Sequence, residues 1–323
     1  MEHFGLLDYM SISCMGKYNL GDYIQSVAAR QYLPHVDAYI DRERLSEYDG
    51  EEIKMIMNGW YMCNADNWPP SDNIDPLFVS FHINFMAEKK MLSKKSIDYL
   101  KRHQPIGCRD FHTCDILRKA GVEAYFSGCL TLTLGRTYKR TYVGDEIIFA
   151  NVLEGLTSWN EIRLRPRSFL RVLKERKLSA CLHKRRYMEQ IFDKDLLEQA
   201  TYIDPMVPVD NPTDRFQLAD SYLKRLAAAK FVVTSKIHTA LPCLGMGVPV
   251  IFVRGGFDYK GEANRIGGLV DFMNQVVIDR KHNITTNFGL KLPITADAVF
   301  ENPDRHLKYA EELAAKCEKF VAG

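Results

Sequence analysis

At 323 residues the chain is longer than one hydrophobic core usually serves, so two domains of ordinary size are expected. Hydrophobic residues at 46% and charged residues at 26% exclude a disordered or fibrous protein, and a formal net charge of +2 supplies no field for nucleic acid. The eight cysteines are scattered singly with no C-x-x-C pair, which argues against a disulfide framework and a structural zinc site. The opening MEHFGLLDYM has no basic stretch leading into an apolar run, and no later segment reaches the ~20 apolar residues that cross a bilayer. A cytoplasmic protein is the expectation.

The first element of interest is the loop Asn19-Leu20-Gly21-Asp22, which leads into a predicted helix over Tyr23 to Tyr32. Backbone donors there, with Gln25, suit a phosphate or a sugar hydroxyl; an ordinary N-cap by Asp22 is the equal alternative. A predicted strand over Lys54 to Asn58 ends in Asn58-Gly59-Trp60, where glycine allows close approach and the indole either stacks on a sugar ring or fills the core. A second predicted strand, Leu77 to Phe81, places His82 and Asn84 just beyond it, and His82 is a candidate acid, base or acceptor contact.

Arg109 leaves the strand Pro105 to Cys108 ahead of a helix over Thr113 to Ala120 that Gly121 stops. That position suits a carboxylate or phosphate clamp, the alternative being a surface arginine paired with Asp110 or another carboxylate; His112 reads as solvent-facing. Gly135 to Asp145 is polar and aperiodic and reads as a linker. Beyond it come predicted strands over Asp145 to Ala150, Lys230 to Thr234 and Val248 to Val253, with a helix over Ala219 to Ala229. Short apolar strands alternating with helices predict an α/β fold with parallel sheets, in domains 1–134 and 145–302, with a terminal helix within 303–323 packing across them. Between Arg163 and Arg186, ten Lys or Arg residues stand against one Glu. That is either a solvated helix face or an attachment to anionic lipid.

Three ordered blocks carry a resemblance. Val232 to Phe252 (VVTSKIHTALPCLGMGVPVIF), Gly107 to Leu134 (GCRDFHTCDILRKAGVEAYFSGCLTLTL) and Tyr18 to Ser26 (YNLGDYIQS) together resemble the polysaccharide pyruvyl transferase family. The resemblance implies two Rossmann-like domains in a glycosyltransferase-B-like arrangement, the first on the acceptor side and the second on the donor side. It implies phosphoenolpyruvate as donor, and a pyruvyl ketal formed on two hydroxyls of a hexose. The acceptor would be a surface polysaccharide (exopolysaccharide or capsule) or its lipid-linked precursor, and no redox cofactor is implied.

Within that likeness His238 is expected as general acid or phosphate-stabilising partner, with Arg109 and Lys236 gripping the anion. Asn19, Gly21, Asp22, Gln25, Asn58, His82, Ser235 and Arg254 are expected substrate contacts. Two positions depart from the family pattern: Lys236 stands where the family has arginine, and Gly128-Cys129 where Asp-Pro is common. An ammonium lacks the planar fork of a guanidinium, which affects anion gripping. Two other functions fit the same residues: a nucleotide-sugar glycosyltransferase of shared fold, and a non-catalytic sugar-binding or assembly protein.

Overall fold

A computed structural model describes residues 2–10, 17–154, 156, 166–174, 178–208, 211–255 and 264–323. Parallel strands alternate with helices in both halves of the chain, giving a mixed α/β fold.

The first half begins with β1 (Phe4–Asp8), β2 (Tyr18–Asn19), α1 (Leu20–Arg30) and β3 (Ala38–Asp41). β4 (Ile53–Ile56) runs on through Met57 and Asn58 into β5 (Gly59–Tyr61), and β6 (Ile74–Leu77) through residues 78–80 into β7 (Phe81–Ile83). Helices α2 (Glu88–Met91) and α3 (Lys94–Arg102), strand β8 (Ile106–Cys108), helix α4 (Phe111–Lys119) and strand β9 (Ala124–Phe126) follow. Two parallel sheets result, ordered β3-β1-β4-β6 and β5-β7-β8-β9. They merge, because Met57 N donates to Leu77 O at 2.8 Å and Gly107 N to Phe78 O at 3.0 Å across the break.

The predicted strand over Leu77 to Phe81 therefore straddles an interruption, and His82 sits inside β7 instead of after a strand. Ser80 takes a left-handed φ of 54° there, and a run of apolar residues does not reveal that backbone turn.

The second half contains β10 (Ile147–Ala150), α5 (Pro166–Lys174), α6 (Leu178–Ile191), α7 (Lys194–Gln199), β11 (Thr201–Ile203) and β12 (Met206–Val207). Then come α8 (Pro212–Ala228), β13 (Phe231–Thr234), α9 (Ile237–Met246), β14 (Val250–Gly255), β15 (Asn274–Ile278), β16 (Ile284–Thr286) and α10 (Leu307–Ala322). Their sheet is ordered β11-β10-β13-β14-β15-β16, and within it β16 alone runs antiparallel. Helix α8 starts well before the predicted Ala219. Asn211 caps it by accepting from Thr213 N at 3.0 Å with Pro212 in the first turn, and the polar first turns masked the helical period.

In the first half β1 lies between β3 and β4, and in the second β10 lies between β11 and β13. Such a reversal of strand order leaves a crevice at the carboxyl ends of the strands.

The halves are sewn together. β2 pairs antiparallel with β12, and Leu20 N donates to Pro205 O at 2.9 Å. Arg215 of α8 is buried with its guanidinium 3.7 Å from the Tyr18 ring centre, and it hydrogen-bonds Tyr23, whose hydroxyl donates to Asp8 Oδ1 at 3.0 Å. One hydrophobic cluster mixes Leu6, Ile24 and Val27 with Leu223, Leu241 and Leu244, whereas two others stay within one half. A 3-10 segment, Leu130–Arg136, packs on α9 so closely that a Cβ on Gly245 would lie 2.3 Å from Leu132 O. The chain up to Arg136 thus adheres to the second half, ahead of the irregular stretch that leads to β10. Tyr309 of α10 meets Phe126 at 5.3 Å and Phe272 at 5.1 Å between ring centres, one from each half.

Among the described residues no helix is long and apolar enough to cross a membrane. Part of the basic segment, including Arg163, Arg165, Arg176 and Lys177, lies outside the described residues.

Candidate active site

Strand register builds one wall. Trp60 pairs with His82 across β5 and β7, and Phe81 pairs with Cys108 across β7 and β8, which sets Arg109 beside His82. Since successive side chains alternate faces, Phe81 and Cys108 enter the core while Trp60, His82 and Arg109 form a row on the other face. That row meets the first turns of α1. Trp60 Nε1 donates to Asp22 Oδ1 at 3.0 Å, Arg109 Nη1 to Gln25 Oε1 at 3.2 Å, and Asn58 Nδ2 to Gln25 O at 2.8 Å.

The helix starts there because Asn19 Oδ1 accepts from Gly21 N at 3.0 Å. Asn19 is therefore the cap. Asp22, the expected cap, is buried one turn in, where burial raises its carboxyl pKa against the pull of Arg42, Trp60, Arg265 and Arg109. Gly21 lets the turn lie against the second half, since a Cβ there would stand 3.1 Å from His238 Cβ.

His238 enters from the first turn of α9, with its Nε2 3.3 Å from Arg109 Nη1. Arginine only donates, so Nε2 accepts, and the imidazole is neutral with its proton on Nδ1. Burial, then the charges of Arg109 and Arg265, push its pKa well below the ordinary value. A general acid needs one more proton than this state holds. A neutral imidazole in this state can still donate a hydrogen bond from Nδ1.

Lys236, at the cap position of α9, is half-exposed and ion-paired with Glu154. Ser235 Oγ accepts from Leu153 N at 2.8 Å and donates to Val253 O at 2.5 Å, so this expected substrate contact is a clip between strand ends. Arg254, at the end of β14, donates from Nε to Gln275 Oε1 at 3.0 Å and has no bond to the Arg109 group. Trp60 is covered on one face by Arg42, 3.7 Å from its ring centre, and Glu43 holds Arg42 at 2.9 Å. His112 pairs with Glu88 at 3.0 Å, away from this group.

Arg109 is completely buried, yet its Nε and Nη2 have no partner among the described residues. Those two atoms share one edge of the guanidinium, the fork that takes a carboxylate or phosphate through two parallel bonds. Tyr9 Oη, Asn58 Oδ1 and Ser80 Oγ are likewise buried without partners among the described residues. Two of these lie close to Gln25: Asn58 bonds its carbonyl, and a Cβ on Gly59 would be 3.4 Å from Tyr9 Oη and 3.9 Å from Gln25 Oε1. Each such group costs about 1–3 kcal/mol when left unpaired, so the Arg109 edge favours a polar partner.

Asp110 proves to be the partner of His82, not a surface partner of Arg109. It is fully buried, and His82 Nδ1 lies 2.6 Å from its Oδ2. Burial would raise this carboxyl, but bonds from His82 and from Thr113 N at 2.8 Å hold it below its usual value. Burial first, and then Arg109, bring His82 down to about 4.

Arg265 was not legible in the sequence. Its charge reaches Asp22, Arg109, His82 and His238, and its segment is tied to α4 where Phe111 N donates to Gly267 O at 3.3 Å.

A family model described as polysaccharide pyruvyl transferase matches residues 19–255, the bulk of the chain. The chain belongs to the polysaccharide pyruvyl transferase family. The matched span contains Asn19, Gln25, His82, Arg109, Asp110 and His238, so the wall and the helix turns facing it are parts of the family region, while Arg265 lies beyond it. Membership makes the protein a transferase acting on a saccharide acceptor. No curated protein matches the sequence. Among solved structures, a functionally uncharacterized protein from Klebsiella pneumoniae subsp. pneumoniae is similar over 82% of this chain and 87% of that one, with 13% identity and a TM-score of 0.40. At that level the likeness carries neither fold detail nor function across.

Proposed function

We propose that the protein transfers the pyruvyl group of phosphoenolpyruvate onto two hydroxyls of a hexose, closing a ketal, in a surface polysaccharide or its lipid-linked precursor. The observation that carries this reading is the unpaired Nε and Nη2 edge of the buried Arg109, in contact with His238, next to His82 by strand register and within reach of the Arg265 charge. Phosphoenolpyruvate presents a carboxylate and a phosphate on neighbouring atoms. One anion occupies the Arg109 fork, and the other lies toward Arg265 with Nδ1–H of His238 as a further donor. Lys236 adds charge only when Glu154 releases it. The transfer is neutral in oxidation level, so the reading includes no redox cofactor.

In this reading the two α/β halves stand as Rossmann-like domains in a glycosyltransferase-B-like arrangement, with the donor shared across the seam at Arg109 and His238. The enzyme acts on the cytoplasmic side, where a lipid-linked acceptor would bring it to the membrane surface. Exposed Phe169, Leu170 and Leu173 of α5 and Leu182 of α6, within the basic segment, support such a contact.

Thermal unfolding with phosphoenolpyruvate and, separately, with nucleotide-diphosphate sugars tests the donor, since a ligand that binds only the folded state raises the midpoint. Stabilisation by phosphoenolpyruvate, with phosphate release on adding acceptor polysaccharide, is the expected result. Stabilisation by the nucleotide sugars alone would transfer the chain to glycosyl transfer.

A further inference from the structure

We propose that Asp110 is a positioning residue that fixes the His82 tautomer, and that His82, through Nε2, is the base that takes the proton of the attacking sugar hydroxyl. The proposal rests on the pyruvyl-transfer reading above and assigns it a proton path.

The geometry is that of an oriented imidazole. Asp110 is clamped by its own helix: Thr113 N donates to Oδ1 at 2.8 Å and Thr113 Oγ1 to Oδ2 at 3.1 Å, while Ile83 N donates to Thr113 Oγ1 at 3.2 Å. The Asp110 carboxylate accepts only, so the 2.6 Å contact places the His82 proton on Nδ1 and the lone pair on Nε2. Nε2 has no protein partner among the described residues, and register places the ring between Trp60 and Arg109, on the face that meets α1. The burial that holds His82 neutral near pH 7 keeps that lone pair available. By contrast Nε2 of His238 is engaged by Arg109. Of the two imidazoles, His82 is the one whose lone pair no protein donor among the described residues engages.

The proton account closes. The hydroxyl oxygen bonds to C2 of phosphoenolpyruvate as its proton passes to Nε2. The electron pair of the C2=C3 bond takes a proton at C3 from the imidazolium so formed, which the Asp110 carboxylate stabilises in the interval. Phosphate then leaves with the C2–O electron pair, and the second hydroxyl closes the ketal while its proton leaves with phosphate.

Asp110 also caps α4, so a bland role exists, and Asp110→Asn separates the two. Asparagine caps a helix as well as aspartate does, but its amide nitrogen donates toward Nδ1 and drives the proton to Nε2. The variant is expected to keep its unfolding midpoint and its KM for phosphoenolpyruvate within about threefold, while kcat falls by roughly 10²–10⁴. Nitrogen-15 NMR of the ligand-free protein, with His82→Gln identifying the signal, should show His82 protonated on Nδ1 in the parent and on Nε2 in Asp110→Asn. Nε2 protonation in the parent, or turnover of the asparagine variant within about fivefold of parent, overturns the proposal. A parent enzyme that releases no phosphate counts against the transfer reading instead, and the ligand-free tautomer measurement still decides the positioning.

Discussion

Replacing Arg109 by lysine keeps a positive charge at the centre of the site and removes its fork, so it isolates what the unpaired edge contributes. In the parent, Nη1 is committed to Gln25 Oε1 and His238 Nε2, leaving Nε and Nη2 for the donor. A single ammonium on a shorter reach replaces one of those two bonds at best. A hydrogen bond to a charged group contributes about 1.5–3 kcal/mol, which at ~1.4 kcal/mol per decade corresponds to roughly 10- to 150-fold in affinity. Isothermal titration of phosphoenolpyruvate into Arg109→Lys should show a loss in that range, with the unfolding midpoint of the ligand-free protein reported alongside. Because the grip acts on ground state and transition state alike, kcat at saturating donor should fall much less than kcat/KM. Donor affinity within threefold of parent in a folded Arg109→Lys protein would mean that the open edge does not hold the donor, and the assignment of the site to an anion would fail with it.

Gly245→Ala forces a Cβ to within 2.3 Å of the Leu132 carbonyl oxygen, backbone against backbone with no flexible side chain to yield, so urea unfolding should show a loss of about 3 kcal/mol; a change under 0.5 kcal/mol would refute the contact. His82 is held at about 4 against an ordinary 6.5, so the unfolded chain takes up the proton first as the pH falls. Stability should therefore be lost between pH 6.5 and about 4, by roughly 3 kcal/mol from His82, with His238 acting in the same direction. His82→Gln should flatten that slope, and an unchanged slope would speak against a buried neutral imidazole. Glu154→Gln frees Lys236 from its ion pair and should tighten phosphoenolpyruvate binding up to about fivefold, the most that a half-exposed pair is expected to withhold; weaker binding would place Glu154 on the substrate side. If α5 touches anionic lipid, Leu170→Glu with Leu173→Glu should reduce sedimentation with phosphatidylglycerol vesicles, and equal recovery with parent would leave a solvated face.

Read alone, the chain carries the alternation of short apolar strands with helices, Arg109 just past one strand, His238 shortly after another, and the blocks that resemble the family. These are local properties: burial on both faces writes a continuous apolar run, and glycine, asparagine or proline at a turn acts through its own backbone. What the tertiary structure decided is which neighbours those residues meet. Adjacency in sequence pairs Asp110 with Arg109. Asp110, however, lies past the strand as the cap of α4, and the turn into that helix brings its carboxylate to His82 across 28 positions of sequence instead. Ser235 and Lys236 shared a motif with His238, yet their bonds run to Leu153, Val253 and Glu154, which only the sheet order brings alongside. Arg265 lies in a segment with no motif of its own, and its charge reaches Arg109 because that segment is bonded to the start of α4 in the other half. A guanidinium edge left without a partner is a property of the packed whole. No spacing in the chain records it, because it depends on every group that failed to reach Arg109 as much as on those that did.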